Sequence, residues 1–190
     1  MAKAQYDRDD ILDKSISLFW EKGFNAASMK QVVQATGLKP GSLYLSFGNK
    51  EALYREALQR YAEKSQAGIR GILDASASVG EGICTILEKM VQDASSEDYC
   101  SCFLVKTQLE LALEGNEIHE FAAAKLAEIE TLYRSYLEKE YGSAVAQDRA
   151  VSLMFHIFGM RVYGYQRGSA DRMRRGLREG LPWLPWSQEG

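Results

Sequence analysis

The chain has 190 residues, of which 46% are hydrophobic and 26% are charged, and its formal net charge at pH 7 is −3. This composition is ordinary for a globular protein of one or two domains with a core. The most apolar stretch, residues 150–160, is only 11 residues long, whereas a membrane-spanning helix needs about 20. These observations, with an N-terminus that lacks the apolar core of a signal peptide, argue against a membrane partner.

Two further features of the composition bear on class and compartment. Three cysteines, an odd number in a chain of this size, argue against a disulfide framework and favour a reducing cytoplasm. Residues 1–50 carry a net charge of +2 and the remainder carries −5. A mildly basic N-terminal segment on an otherwise acidic chain is typical of a protein that binds a polyanion at one end. A chance imbalance of a few charges gives the same numbers.

Apolar residues recur at spacings of three and four, which predicts an all-α fold. The first helix is predicted over residues 9–22, where Gly23 stops it. Ser28 begins a second helix and fits a capping box with Gln31. Gly37 ends this second helix after about two and a half turns.

A third, very short helix follows, with Pro40 at its first position, where the missing N–H costs nothing. Leu43 and Phe47 lie four residues apart and are predicted to face inward. The outward side chains are then Ser42, Tyr44, Leu45 and Ser46. This arrangement predicts a helix-turn-helix whose second helix enters a DNA major groove. A helical hairpin without any DNA role has the same spacing.

The remaining chain is predicted to form six more helices, over residues 50–74, 81–93, 103–113, 117–141, 145–167 and 170–178. The first of them leads out of the N-terminal part of the chain (the head, residues 1–49) into the rest of it (the body, residues 50–190). The helix over residues 145–167 is apolar nearly all round, so it must be covered on most sides. Either a second subunit covers it or it is the buried centre of one subunit.

Residues 11–58 resemble the N-terminal DNA-binding domain of TetR/AcrR-type transcriptional regulators. The first helix carries a Leu-Phe…Lys-Gly-Phe pattern, and the helix-turn-helix carries the core Gly37, Gly41, Ser42, Leu43 and Tyr44. Phe47 and the Lys-Glu-Ala-Leu sequence at residues 50–53 extend the match. The resemblance implies a helix-turn-helix domain over residues 1–49 and a helical ligand-binding and dimerisation domain over residues 50–190.

The resemblance also implies roles for individual residues. Operator DNA would be contacted by Ser28, Lys30, Lys39, Pro40, Gly41, Ser42, Tyr44, Leu45, Ser46 and Lys50. Among these, Lys39 and Gly41 lie next to base edges, whereas Ser42, Tyr44 and Lys50 lie where phosphates are contacted. Three positions depart from the usual pattern, because Pro40 replaces a frequent lysine and Leu45-Ser46 replaces a common His-Tyr pair. A homodimer through the last two helices is implied too, since a palindromic operator requires two heads.

The segment Cys100-Ser-Cys102 opens the sixth helix and allows a redox role. The partial positive charge of a helix N-terminus at Cys102, and Lys106 one turn later, both favour a thiolate. The segment resembles a subgroup of these regulators, some of which sense electrophiles or oxidants through the matching cysteine. Cys102 as a small buried filler remains the competing interpretation. Cys84 is expected in the core.

The predicted function is that of a ligand- or redox-responsive DNA-binding regulator. We expect a dimeric repressor that a small molecule or a cysteine modification releases from a palindromic operator. The candidates to line an effector cavity are Phe103, Leu109, Phe121, Leu132, Tyr136 and Phe155. The alternative is a cysteine-based redox protein whose DNA binding is secondary. No enzyme activity, cofactor or metal is expected, because the sequence holds no phosphate loop, no G-x-S-x-G motif and no Cys/His cluster of zinc spacing.

Overall fold

The structure, a computed structural model, describes residues 6–113 and 115–187. All regular elements in these two ranges are α-helices, so the predicted all-α fold is confirmed. In chain order they are α1 (Arg8–Ala26), α2 (Met29–Thr36), α3 (Pro40–Phe47), α4 (Lys50–Ala75), α5 (Val79–Asp93), α6 (Phe103–Leu111), α7 (Glu117–Tyr141), α8 (Ser143–Tyr163) and α9 (Ala170–Gly180).

Helix α1 contains a break at the glycine where the sequence predicts a stop. Gly23 has φ +81°, which favours a residue without Cβ, and a short helical turn continues beyond it to Ala26. A Cβ at Gly23 would also collide with the carboxylate of Glu110, which comes from α6. The predicted stop is therefore a kink in α1. At this kink Glu110 of α6 contacts α1.

Helix α4 joins the two parts of the molecule through a continuous aromatic core. The centre of the Tyr54 ring lies 4.7 Å from the ring centre of Phe19 and 5.0 Å from that of Phe24, both in α1. It lies 5.2 Å from the ring centre of Phe103 in α6. The Tyr54 hydroxyl bonds the Thr107 hydroxyl at 2.8 Å. Head and body thus share buried surface, and the division of the chain at residues 49 and 50 stays a prediction.

The body is a helical bundle in which α7 packs against α4, α6 and α8, and α5 packs against α4 and α9. Helix α5 begins two residues earlier than predicted because Ser78 caps it, so the predicted loop shortens to residues 76–78. Helix α8 ends at Tyr163, four residues before its predicted end. The tail after α9 packs back on the bundle through Leu181 and Leu184. None of the helices described for this chain is long and apolar enough to cross a membrane.

Candidate nucleic-acid interface and cysteine segment

Helix α2 is fixed by the capping box predicted from the sequence. The Ser28 hydroxyl accepts from the Gln31 N–H at 3.3 Å, and the Gln31 side chain accepts from the Ser28 N–H at 2.9 Å. Val32 and Thr36 face the core, and Gly37 ends the helix with φ +70°. This turn sets the direction in which α3 leaves.

Helix α3 divides into a buried and an exposed side as predicted. Pro40 occupies its first turn, and Leu43 and Phe47 are buried against the head. Tyr44 is half exposed, and Leu45 is 90% exposed. Lys39, at the N-cap, makes no side-chain cap, so no side chain satisfies the first N–H groups of α3 there. Such free N–H groups and the helix dipole favour an anion such as a DNA phosphate.

The ten residues predicted to contact DNA fall into two groups in the structure. Seven of them are exposed: Ser28, Lys30, Lys39, Pro40, Gly41, Tyr44 and Leu45. Ser42, Ser46 and Lys50 are half-buried. The Ser46 hydroxyl donates to the Ser42 carbonyl at 2.8 Å and also contacts the Tyr6 hydroxyl. The Lys50 ammonium donates to the carbonyls of Phe24 and Ala27 at 3.0 and 3.2 Å. The side chains of Ser46 and Lys50 therefore hold the head together internally.

A carboxylate from the body holds the last turn of α1, beyond the kink at Gly23. The two oxygens of Glu110 accept from the main-chain N–H groups of Phe24 and Asn25 at 2.9 and 2.8 Å. Lys50 holds the carbonyls of the same turn. Because charge-assisted bonds of this kind are short and strong, α6 is fixed to the helix-turn-helix at this turn. Nothing in the sequence spacing singles out Glu110, because the contact joins residues more than 80 positions apart.

The cysteine segment lies at the opposite end of α6. Cys102 is the N-cap residue of α6 and is only 7% exposed, whereas Cys100 is half-buried. The predicted pairing of Lys106 with Cys102 is not what the structure has. The Lys106 ammonium donates instead to Cys100 Sγ at 3.3 Å and to the Trp20 carbonyl at 2.5 Å. The long side chain turns back past the helix start toward α1, an orientation that helical spacing does not define.

The six residues predicted to line an effector cavity lie in separate places. Phe103 belongs to the aromatic core, and Leu132 is buried. The Phe121 ring lies under the Arg55 guanidinium at 4.5 Å, and the Tyr136 hydroxyl donates to Asp74 at 2.5 Å. Leu109 and Phe155 are exposed, so their side chains point away from the core. Amphipathic spacing identified an apolar stripe but not the partner of each side chain.

Helices α8 and α9 form a shallow apolar groove on the surface. It encloses about 440 Å³, and its lining includes Phe155, Gly159, Tyr163, Met173 and Leu177. Phe155 is 73% exposed, and Val162 and Tyr165 are exposed as well. Large apolar residues grouped on a surface mark an interaction site.

The possible metal ligands do not gather. Over residues 6–113 and 115–187, no group of three or more His, Cys, Asp or Glu side chains could hold a metal ion. The His156 Nδ1–H donates to the main-chain carbonyl oxygen of Ser152 within its own helix, at 2.8 Å.

An all-α chain with a capped α2, a tight turn and a short exposed α3 defines a helix-turn-helix protein of the three-helix type. Residues 11–57 match the family described as bacterial regulatory proteins, tetR family. This match extends over about a quarter of the chain and places a domain of the TetR family in its head.

Relatives and solved structures are consistent with that assignment. The chain is 31% identical over 134 residues to the HTH-type transcriptional repressor ComR of Escherichia coli, covering 70% of this chain and 64% of ComR. It is 31% identical over 110 residues to the repressor BdcR of the same organism, covering 58% of this chain and 52% of BdcR. The chain thus spans under two thirds of the length of these two relatives.

A solved structure of the TetR family regulator CifR, a cysteine mutant complexed with 26-bp double-strand operator DNA, superposes with a TM-score of 0.79. It is 25% identical and covers 98% of this chain and 100% of CifR. The reduced form of E. coli NemR superposes with a TM-score of 0.73 at 15% identity, covering 90% of this chain and 95% of NemR, and shows the shared fold.

Proposed function

We propose that this chain is a cytoplasmic, dimeric transcriptional repressor that binds a palindromic double-stranded operator through α3. The observation that carries the proposal is the division of α3: Leu43 and Phe47 anchor it, while Pro40, Gly41, Tyr44 and Leu45 face solvent. An exposed helix face braced by two others suits insertion into a major groove. The names of ComR and BdcR, and the operator complex of CifR, support the same function.

The contacts to DNA are proposed from exposure and charge. Lys30 and Lys39 are exposed cations on the α2–α3 unit and would bind phosphates. Tyr44 and Ser42 would bond phosphate oxygens, and the exposed Leu45 would make an apolar contact with a base edge. Lys50 and Ser46 contribute to the same interface by supporting its shape.

The two subunits would associate through the groove between α8 and α9. Phe155 projects from this groove into solvent, and a second copy would cover it. Two heads held at a fixed spacing would then meet half-sites about 34–36 Å apart. Because α4 runs from the head into the body, a small tilt of α4 would change that spacing.

Release from DNA would follow a signal received by residues 50–190, either a small-molecule effector or modification of a cysteine. The position of Cys102 supports the cysteine route, because α6 starts there and carries Glu110 to the last turn of α1. A change at the start of α6 would therefore be transmitted to the head through one rigid helix.

A fluorescence-anisotropy titration tests the function. The full chain is titrated on DNA from upstream of its own gene and on scrambled DNA, before and after thiol alkylation. We expect tight binding to the native fragment only, lost on alkylation of the wild type and kept in Cys102→Ser. Tight binding that alkylation leaves unchanged would favour a non-covalent effector. Equal weak binding to both DNAs, with a wider operator search also negative, would contradict the proposal.

A further inference from the structure

Helix α3 lacks the side chains that read bases by paired hydrogen bonds. Its eight residues, PGSLYLSF, include no Arg, Lys, Asn, Gln, Asp or Glu. Those are the residue types that recognise the edges of guanine, adenine and cytosine in a major groove. Lys39 precedes the helix at the N-cap, beside the free N–H groups that favour a phosphate. If α3 enters the groove, its sequence reading must therefore depend on another chemistry.

The hydroxyl groups of α3 carry little sequence information either. The Ser46 hydroxyl donates to the Ser42 carbonyl at 2.8 Å and contacts the Tyr6 hydroxyl, so it is engaged inside the head. Ser42 is half-buried. The Tyr44 hydroxyl can both donate and accept, so a single bond from it does not distinguish one base from another. Hydrogen bonds from α3 thus position the helix on DNA and leave the sequence unread.

The most exposed side chain of α3 is apolar. Leu45 is 90% exposed, whereas Tyr44 is 50% exposed. A single exposed leucine is common on protein surfaces and needs no explanation by itself. Leu45, however, lies on the side of α3 that faces solvent, together with Pro40, Gly41 and Tyr44. This is the side that the proposed function places in the groove.

Gly41 leaves open space beside Leu45. The two residues are four positions apart, so they lie on the same face of the helix. A leucine side chain in an α-helix leans toward the N-terminus, over the preceding turn. A Cβ at Gly41 would meet no atom within 4 Å, so the packing of the head does not require a glycine there. The missing side chain lets a group from outside approach the helix backbone next to Leu45.

The major groove offers one apolar group to such a surface, the C5-methyl group of thymine. We propose that Leu45 is the specificity-determining residue of α3 and contacts the methyl group of a thymine in each operator half-site. Gly41 gives that methyl group the room to reach the leucine. The inference rests on the proposed function, operator binding through α3. Contact between the two removes apolar surface from water on both sides, and a base without the methyl group loses this gain.

The test removes the methyl group from the DNA. The full chain first selects a duplex from a random double-stranded library, and each thymine of that duplex is then replaced in turn by deoxyuridine. This replacement deletes the methyl group and keeps the hydrogen-bonding groups of the base. Fluorescence anisotropy measures the affinity for each duplex. We expect one position in each half-site at which deoxyuridine weakens binding about fourfold, as for one buried methyl-sized group.

Leu45→Ala removes the proposed partner of that methyl group without disturbing the core, because the side chain is exposed. In this variant thymine and deoxyuridine should bind equally well at the sensitive position. The slope of log K against log salt should stay that of the wild type, because no phosphate contact is lost. Leu113→Ala truncates another fully exposed leucine, far from α3 in the chain. This matched control should keep the fourfold preference for thymine.

The outcomes separate the inference from the proposed function. A selected duplex that binds tightly, with equal affinities for thymine and deoxyuridine at every position, would overturn the inference and leave operator binding intact. A thymine preference that persists unchanged in Leu45→Ala would assign the methyl contact to another residue and overturn the role of Leu45. If the library yields no duplex that binds better than scrambled DNA, operator binding fails, and base reading by Leu45 fails with it.

Discussion

Lys106 of α6 donates a hydrogen bond to the main-chain oxygen of Trp20 in α1, across 2.5 Å. The same ammonium lies 3.3 Å from Cys100 Sγ, and the Trp20 indole N–H donates to the carbonyl of Ser101. Glu110, one turn further along α6, bonds the last turn of α1. Helix α6 is therefore fixed to the head at two places, and the cysteine segment adjoins one of them.

Replacing Lys106 by methionine should slow the alkylation of Cys100 several-fold. The ammonium holds the neighbouring sulfur by a hydrogen bond, and methionine removes this donor but keeps much of the apolar stem. The measurement is the rate of iodoacetamide labelling at Cys100, read by peptide mass spectrometry. Lys89→Met, at an exposed position on α5, is the control, and an equal Cys100 rate in both variants would contradict the assigned contact.

Replacing Glu110 by alanine should lower the free energy of unfolding by about 1–3 kcal/mol, because two main-chain N–H groups lose their acceptor. Urea denaturation followed by circular dichroism measures the change. Glu63→Ala removes an exposed carboxylate from α4 and should shift the stability by less than about 0.5 kcal/mol. If Glu110→Ala and Glu63→Ala unfold at the same urea concentration, the contact of Glu110 adds nothing to the free energy of unfolding.

Lys39→Ala and Lys30→Ala should weaken DNA binding on any sequence and reduce the slope of log K against log salt by about 1 each. Lys50→Ala should differ, because its ammonium bonds two carbonyls inside the head. We expect Lys50→Ala to lower the melting temperature as well as the affinity. Anisotropy titrations at several salt concentrations, with thermal melts of each variant, distinguish the two groups. If the slope of log K against log salt in Lys39→Ala equals that of the wild type, Lys39 does not contact a phosphate.

Phe155→Glu should convert the protein to monomers and abolish tight operator binding, since a carboxylate in the α8–α9 groove cannot be buried against a second copy. Sedimentation velocity measures the assembly state at several protein concentrations. Lys89→Glu places the same charge on an exposed part of α5 and should leave the assembly unchanged. A dimeric Phe155→Glu would place the interface elsewhere.

Cys84 should be nearly inert to alkylation at neutral pH. Burial raises the pKa of its thiol to about 11, so about one molecule in a thousand carries the thiolate at pH 8. Because the thiolate is the reactive form, the labelling rate should rise about tenfold per pH unit up to that pKa. A rate profile between pH 7 and 11 tests this. A plateau below pH 9 would contradict the raised pKa.

Local sequence patterns predicted the elements that local interactions stabilise. The Ser28–Gln31 capping box, the ends of α2, the start of α3 and the inward positions of Leu43 and Phe47 all appear where the spacing places them. The bounds of α7 are likewise as predicted, with Asn116 as its cap. Errors occurred at Gly23, where α1 bends and continues, at the start of α5, where Ser78 caps the helix, and at both ends of α8.

The candidate site was only partly accessible from the sequence. The helical spacing of apolar residues predicted which side of α3 is exposed. It did not predict that Ser46 and Lys50 make hydrogen bonds inside the head. The contact of Glu110 with the N–H groups of Phe24 and Asn25 could not be predicted either, because it joins residues more than 80 positions apart and only the packing of α6 against α1 brings them together.

The sequence by itself determined the all-α fold and the helix-turn-helix, because helix period, caps and glycine turns act between residues a few positions apart. The tertiary structure alone decided that Lys106 faces Cys100 and that Glu110 holds the last turn of α1 at Phe24. The physical reason is the direction of long side chains. A helix fixes where each side chain begins, whereas the charges and carbonyls of other helices decide where it ends.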